Sequence, residues 1–192
     1  MSVAIPSGWY SIPLRELIYD FERGISYSSE EISQPSDVKM VNLACIDKSG
    51  YYRDGELKDY SGKVSDEMKV YPGDLLIACT DLTRNADIIG TPIIVPEGQQ
   101  FYVFSMDLAK FIPNDKVDKE FLYYALKSPS YRKYIKPWAS GTNVLHLNLK
   151  GVYDYVITLP KDINEQKQIA NTLKNIDDAL LLNKKINDNL AS

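Results

Sequence analysis

Leu159-Pro160-Lys161-Asp162-Ile163-Asn164-Glu165-Gln166-Lys167-Gln168-Ile169-Ala170 decides how this chain is organised. Pro160 closes an apolar, β-branched run that begins at Val152, so residues 152–159 are predicted to be a last strand. Asp162-Ile163-Asn164-Glu165 is a capping-box variant with Asp in the Ser/Thr position, which predicts a helix start. No Gly or Pro follows it to the end of the sequence. Ile169, Leu173, Ile176 and Leu180 then step by 4, 3 and 4, and Asn183, Asn187 and Leu190 keep the register. That spacing is a coiled-coil seam, and polar residues at seam positions fix register at some cost in stability. The expected helix of about 28 residues would span about 42 Å. An amphipathic helix lying on its own domain is the alternative. The spacing favours a helix that projects and pairs with another.

Upstream the chain reads as a mixture. Pro13, Leu14, Leu17, Ile18 and Phe21 have helical spacing, with Gly24 as a stop. Residues 25–37 are polar and read as a loop. Residues 38–112 read mostly as strands: Val38–Ile46, Leu75–Thr80, Ile88–Val95 and Phe101–Phe104, with turns at Asp47–Gly50 and Pro72-Gly73-Asp74. Asp81–Asp87 is a polar loop. Asp118 caps a helix with Phe121, Leu122, Ala125 and Leu126 on one face; Pro129 interrupts it, and Pro137 ends the segment after it. The expected fold class is α+β. A globular domain over residues 1–160, with a mixed, twisted sheet and short flanking helices, is followed by a long coiled-coil-type helix over 161–192.

Composition excludes several classes. With 192 residues, 44% hydrophobic and 25% charged, the chain has the make-up of a globular protein large enough to fold without disulfides or metals. Cys45 and Cys79 sit in apolar runs and read as buried free thiols in strands. One His and two Cys make no zinc set, and no metal site is expected. No two of the ten glycines are separated by a single residue, so there is no Gly-x-Gly cradle for a nucleotide or S-adenosylmethionine, and no P-loop. Asp37-Val38-Lys39, Glu56-Leu57-Lys58 and Glu165-Gln166-Lys167 match the acid-x-Lys piece of metal-dependent nucleases, a pattern too short to carry a site. No catalytic residues are expected. The N-terminus has neither a basic start nor a signal-length apolar run, and no stretch approaches membrane-span length; a cytoplasmic location without membrane contact is expected.

The charge map is more telling. Net charge is −4, yet Phe121–Tyr153 holds no Asp or Glu and carries Lys127, Arg132, Lys133, Lys136 and Lys150 together with His146. Tyr123, Tyr124, Tyr131, Tyr134 and Trp138 are interleaved, around the polar segment Ala139-Ser140-Gly141-Thr142-Asn143. A solvated basic face is the bland reading. Acid-free length within an acidic chain favours a polyanion.

In order along the chain, these motifs resemble the specificity subunit of type I restriction–modification systems. Pro6-Ser7-Gly8-Trp9 with Pro13-Leu14-Arg15-Glu16-Leu17 looks like the start of a target-recognition domain. Tyr71-Pro72-Gly73-Asp74-Leu75-Leu76 with Ile89-Gly90 resembles its turn and strand. Phe121–Leu126 and Ala139-Ser140-Gly141-Thr142 resemble its late helix and loop. Leu159-Pro160 through Glu165-Gln166 and Ile169-Ala170, then Leu173 and Ile176-Asp177, resembles the signature that opens its conserved helical region. The resemblance implies a non-catalytic subunit that reads one half-site of a bipartite double-stranded DNA target. It implies methyltransferase subunits that methylate adenine with S-adenosylmethionine, and a restriction subunit that uses ATP; both cofactors belong to the partners. The usual subunit carries two target domains and two conserved helices, and this chain has one of each. A half-subunit that homodimerises through Ile169, Leu173, Ile176, Leu180, Asn183, Asn187 and Leu190 is therefore expected. Within that frame Thr83, Arg84 and Asn85 form one DNA-contacting loop, with Arg84 suited to guanine and Asn85 to adenine. Ser140, Gly141, Thr142, Asn143 and His146 form a second, and Lys133 and Lys136 are phosphate candidates. A stand-alone coiled-coil DNA-binding regulator and a protein-only adaptor are the alternatives.

Overall fold

The structure is a computed structural model that describes residues 5–47, 50–53, 55–83 and 85–190. In chain order its strands are β1 (Trp9–Pro13), β2 (Ile18–Arg23), β3 (Lys39–Val41), β4 (Lys58–Asp59), β5 (Lys69–Val70), β6 (Leu75–Ala78), β7 (Thr80–Asp81), β8 (Pro92–Ile94), β9 (Tyr102–Phe104), β10 (Leu108–Pro113), β11 (Ala139–Ser140), β12 (Leu145–Leu147) and β13 (Val156–Pro160). Its helices are α1 (Lys119–Lys127), α2 (Pro129–Ile135), α3 (Leu149–Asp154) and α4 (Ile163–Leu190). The α+β class and the long C-terminal helix are as expected. The strands are divided among four small sheets rather than gathered in one: β1-β13, β2-β10-β6-β8, β11-β12-β7 and β4-β3-β9-β5. Pairing is antiparallel except between β3 and β9, so the mixed character survives in one sheet.

The opening segment corrects the sequence reading. Residues 13–21 are not a helix. Trp9–Pro13 pairs with Val156–Pro160, Leu14–Glu16 form a single 3-10 turn, and Ile18–Arg23 pairs with β10. The apolar spacing is real, because Leu14, Leu17 and Ile18 are all buried. Strand partners about 90 to 150 residues away override the local helical pattern. Gly24 is not a helix stop either. It lies so close to the next sheet that a Cβ would fall 2.1 Å from the Ser105 carbonyl oxygen. Two further boundaries shift. Val152–Asp154 belong to α3, whose Asn148 cap accepts the Lys150 amide at 3.0 Å, and the strand begins only at Val156. Ile88–Gly90 is a turn, with β8 confined to Pro92–Ile94. Both cysteines are buried as expected, but Cys45 lies in a 3-10 turn and Cys79 between β6 and β7.

The helices around the core open on side-chain caps, of which Asp118 is the expected one. Asp118 accepts the Phe121 amide at 2.9 Å to open α1, and Ser128 accepts the Tyr131 amide at 3.3 Å to open α2, with Pro129 in the first turn. Leu122 and Leu126 of α1, Tyr131 and Ile135 of α2, Leu159 of β13 and Ala170 of α4 meet in one apolar cluster.

The start of α4 is tied down by the two residues that make its sequence distinctive. Glu165 accepts the Trp9 indole N–H at 3.0 Å, joining the first and last strands to the helix. Gln166 is fully buried. Its Oε1 accepts the Asp118 amide at 2.8 Å, and its Nε2 donates to the carbonyls of Pro160 (2.8 Å) and Lys116 (3.1 Å). Further along, Lys174 pairs with Glu120 at 3.3 Å and Asp177 with Lys127 at 3.0 Å. The Lys127 ammonium also sits 3.8 Å from the centre of the Tyr51 ring, whose hydroxyl donates to Asp177 at 3.1 Å. Beyond Leu181 the helix runs about nine residues, or about 14 Å, with exposed side chains at 182–184 and 186–189. Among the described residues, no helix is long and apolar enough to cross a membrane.

Candidate nucleic-acid interface

One small sheet brings the two expected DNA-contacting loops together. In β12, Leu145 and His146 pair with Asp81 and Thr80 of β7, while His146 and Leu147 pair with Ser140 and Ala139 of β11. The 82–90 loop leaves β7, and the 141–144 turn joins β11 to β12. Segments about 60 residues apart in sequence therefore form one surface.

The 141–144 turn requires its glycine. Gly141 has φ +136°, and a Cβ there would lie 2.0 Å from the Val144 carbonyl oxygen. Ser140, Gly141, Thr142, Asn143 and His146 are all exposed. On the other loop Asn85 is exposed, and Arg84 lies outside the described residues. Thr83 is engaged internally. Its amide donates to Asp81 at 2.7 Å, and its hydroxyl accepts the Asp87 amide at 2.9 Å. Lys133 and Lys136 are both exposed, and the Lys136 ammonium lies 3.4 Å from the Asn85 carbonyl of this loop.

The 82–90 loop is held from two sides. Asp81, fully buried, accepts the amides of Thr83 (2.7 Å), Ile88 (2.7 Å) and Ile89 (2.9 Å). Arg132 of α2 donates to the carbonyls of Ile89, Asp87 (2.9 Å) and Ala86 (3.4 Å). Burial lowers the guanidinium's pKa, while nearby Asp81 and Asp87 favour its charged form. Ala86 takes φ +52°, a left-handed conformation that costs a non-glycine residue about 1–2 kcal/mol and persists only where the surroundings impose it.

The acid-free window thus divides into two groups. Lys127 and Arg132 are engaged inside the protein, which leaves Lys133, Lys136, Lys150 and His146 exposed. The aromatics of the window make ring contacts within the protein. Tyr131 and Tyr134 each lie 5.0 Å from Tyr155, and Trp138 lies 6.1 Å from Tyr134 and against Gly151. Spacing does not reveal this, because the partners lie in other elements.

The expected pairing residues fall on two parts of α4. Ile169 is half-buried against the core and Leu173 is 38% exposed, whereas Ile176 and Leu180 are 52% and 55% exposed. Asn183 and Asn187 are exposed; the Leu190 side chain lies outside the described set. Leu182 and Ile186, which the seam register omitted, are also exposed, at 59% and 46%. At 100° per residue they face well away from the Ile176–Leu180 stripe. Among the described residues no cluster of three or more His, Cys, Asp or Glu could hold a metal ion.

The domain thus brings two polar loops to one surface and carries a long helix out of its body. Residues 6–192 match the type I restriction modification DNA specificity domain, and the chain belongs to that family. It is 27% identical over 193 residues to the type I restriction enzyme MjaVIII specificity subunit of Methanocaldococcus jannaschii, covering 94% of this chain and 42% of that protein. It is 27% identical over 173 residues to the EcoBI specificity subunit of Escherichia coli, covering 89% of this chain and 33% of that one. The fold resembles the S subunit from M. genitalium (TM-score 0.62, 20% identity, 93% of this chain and 41% of that one) and the HsdS subunit from Thermoanaerobacter tengcongensis (TM-score 0.60, 20% identity, 94% and 40%). The chain spans less than half the length of each of these relatives.

Proposed function

We propose that this chain is a non-catalytic DNA sequence-recognition subunit of a type I restriction–modification enzyme, located in the cytoplasm. It reads one half-site of a bipartite duplex target, docks adenine methyltransferase subunits, and pairs with a second copy through residues 163–190. S-adenosylmethionine is bound by the methyltransferase partners and ATP by a restriction subunit. The domain is residues 1–160 and the pairing and spacing element is 161–192. The observation that carries the reading is the convergence of the 82–90 and 141–144 loops on one surface, with Lys136 beside Asn85. Asn85 and Asn143 are suited to adenine, whose N6 and N7 pair with a side-chain amide, and the lysines to phosphate. The exposed Ile176 and Leu180 support pairing, because apolar residues repeated along a projecting helix are stabilised by a partner helix. Two-fold pairing of identical half-readers leads to a palindromic two-part target.

Selection from a randomised duplex pool, with and without the methyltransferase subunit, tests this reading. Enrichment of a symmetric two-part motif that depends on the methyltransferase supports it. Tight, selective binding by the chain alone favours a stand-alone regulator. No enrichment in either arm favours a protein-only adaptor.

A further inference from the structure

We propose that Arg132 and Asp81 are positioning residues that hold Thr83 and Ala86–Ile89, after β7, in one conformation suited to base reading, so that Arg132 governs sequence discrimination without touching DNA. The inference rests on the DNA-recognition reading above and names residues that reading does not use. Residue type and a place in the basic window would suit Arg132 to a phosphate. The geometry points elsewhere. Its two terminal nitrogens are directed at the Ala86, Asp87 and Ile89 carbonyls, inside the protein. Asp81 takes the Thr83, Ile88 and Ile89 amides of the same stretch. Carbonyls are therefore held by a cation from one side and amides by an anion from the other, and Ile89 is gripped by both.

A loop that only connects strands needs no such double fixing, since surface connections tolerate mobility and length change. Fixing has value where exposed side chains must already be in place when a ligand arrives, because ordering then costs nothing at binding. The exposed side chains here include Leu82, 70% exposed, and Asn85. Asp81 is also the β7 residue that pairs with Leu145 of β12, so the same clamp sets the 82–89 loop against the 141–144 turn. Lysine is a poor substitute for Arg132. A single ammonium cannot present the planar fork that reaches three carbonyls.

The test uses the duplex motif enriched in the selection above and single-base-pair variants of it. The chain, with its methyltransferase partner if binding requires it, is compared as wild type, Arg132→Lys and Arg132→Met across a salt series. Amide exchange at Ile88 and Ile89 reports the loop, and melting reports the fold. Both substitutions are expected to remove most of the discrimination at the loop-read base pairs, which for a good side-chain–base pair is roughly 5- to 150-fold. Exchange at Ile88 and Ile89 should accelerate, and the slope of log affinity against log salt should stay at the wild-type value. If Arg132→Met does not fold, Arg132→Lys, which keeps stem and charge, carries the test. Restoration of wild-type discrimination by Lys, or a slope reduced by about 0.9 in Arg132→Met, would make Arg132 a phosphate contact and overturn the proposal. Lowered melting with unchanged discrimination would reduce it to a fold residue and overturn it equally. Failure of the wild type to prefer any duplex is a different result, and it removes the DNA-recognition reading itself.

Discussion

Replacing Gln166 with leucine tests how the long helix is joined to the domain. The substitution keeps the volume and removes every polar contact of a fully buried side chain. Three backbone groups lose their partner: the Asp118 amide and the carbonyls of Lys116 and Pro160. A hydrogen bond contributes about 1 kcal/mol net, and a buried group left unsatisfied costs about 1–3 kcal/mol. The Pro160 contact is buried and the other two are partly so, which brings the expected loss to about 3 kcal/mol. For a chain of this size that lowers the melting temperature by about 6–12 °C. Gln168→Leu is the control. It makes the same chemical change two residues away on an exposed position, and is expected to stay within about 0.5 kcal/mol of wild type. Urea unfolding and calorimetry on the wild type and both variants measure the difference. Indistinguishable stabilities for the two variants would refute the assignment of Gln166 as the polar tie between α4, β13 and the start of α1.

Three further outcomes follow from the geometry. Ile176→Asp with Leu180→Asp, both at positions more than half exposed, should leave the domain's melting intact and shift sedimentation from dimer to monomer; an unchanged sedimentation coefficient would remove the pairing role of that stripe. Gly141→Ala places a Cβ 2.0 Å from the Val144 carbonyl oxygen, and is expected to cost about 1–3 kcal/mol and to abolish sequence preference before it abolishes folding, as read by binding to the enriched motif and a scrambled one. Burial raises the Cys79 thiol to about 11. Because the folded value lies above the unfolded one, the associated stability is complete below about pH 8.5 and lost as pH rises through about 11; Cys79→Ala should flatten that part of the stability–pH profile, and parallel profiles would contradict it.

The elements that were legible in the sequence are those whose determinants are local. α4 has Asp162 at its start, no breaker and an apolar period, and α1 has Asp118 at its start. The opening segment is ambiguous in sequence because Leu14, Leu17 and Ile18 are buried at a spacing that a helix and a strand–turn–strand both satisfy. The choice is made by β13 and β10, far along the chain. The positive charge of residues 121–153 was visible, but its division was not. Lys127 is engaged by Asp177, 50 residues on, and Arg132 by carbonyls more than 40 residues back. Gln166 is legible as part of a motif and silent as to its role, since its partners include the segment before α1, about 50 residues away.

The most direct test of the recognition role is a methylation map. The chain would be expressed with an adenine methyltransferase subunit of its own system in a methylation-free host, and the host DNA sequenced with a modification-sensitive method. The account predicts N6-methyladenine at a palindromic two-part motif with a fixed gap. Methylation that is lost when the chain is omitted, and whose motif changes when the 82–90 and 141–144 loops are exchanged for those of a relative, would agree with it. A folded, soluble complex that leaves the DNA unmethylated, or that methylates the same motif whichever loops it carries, would contradict it.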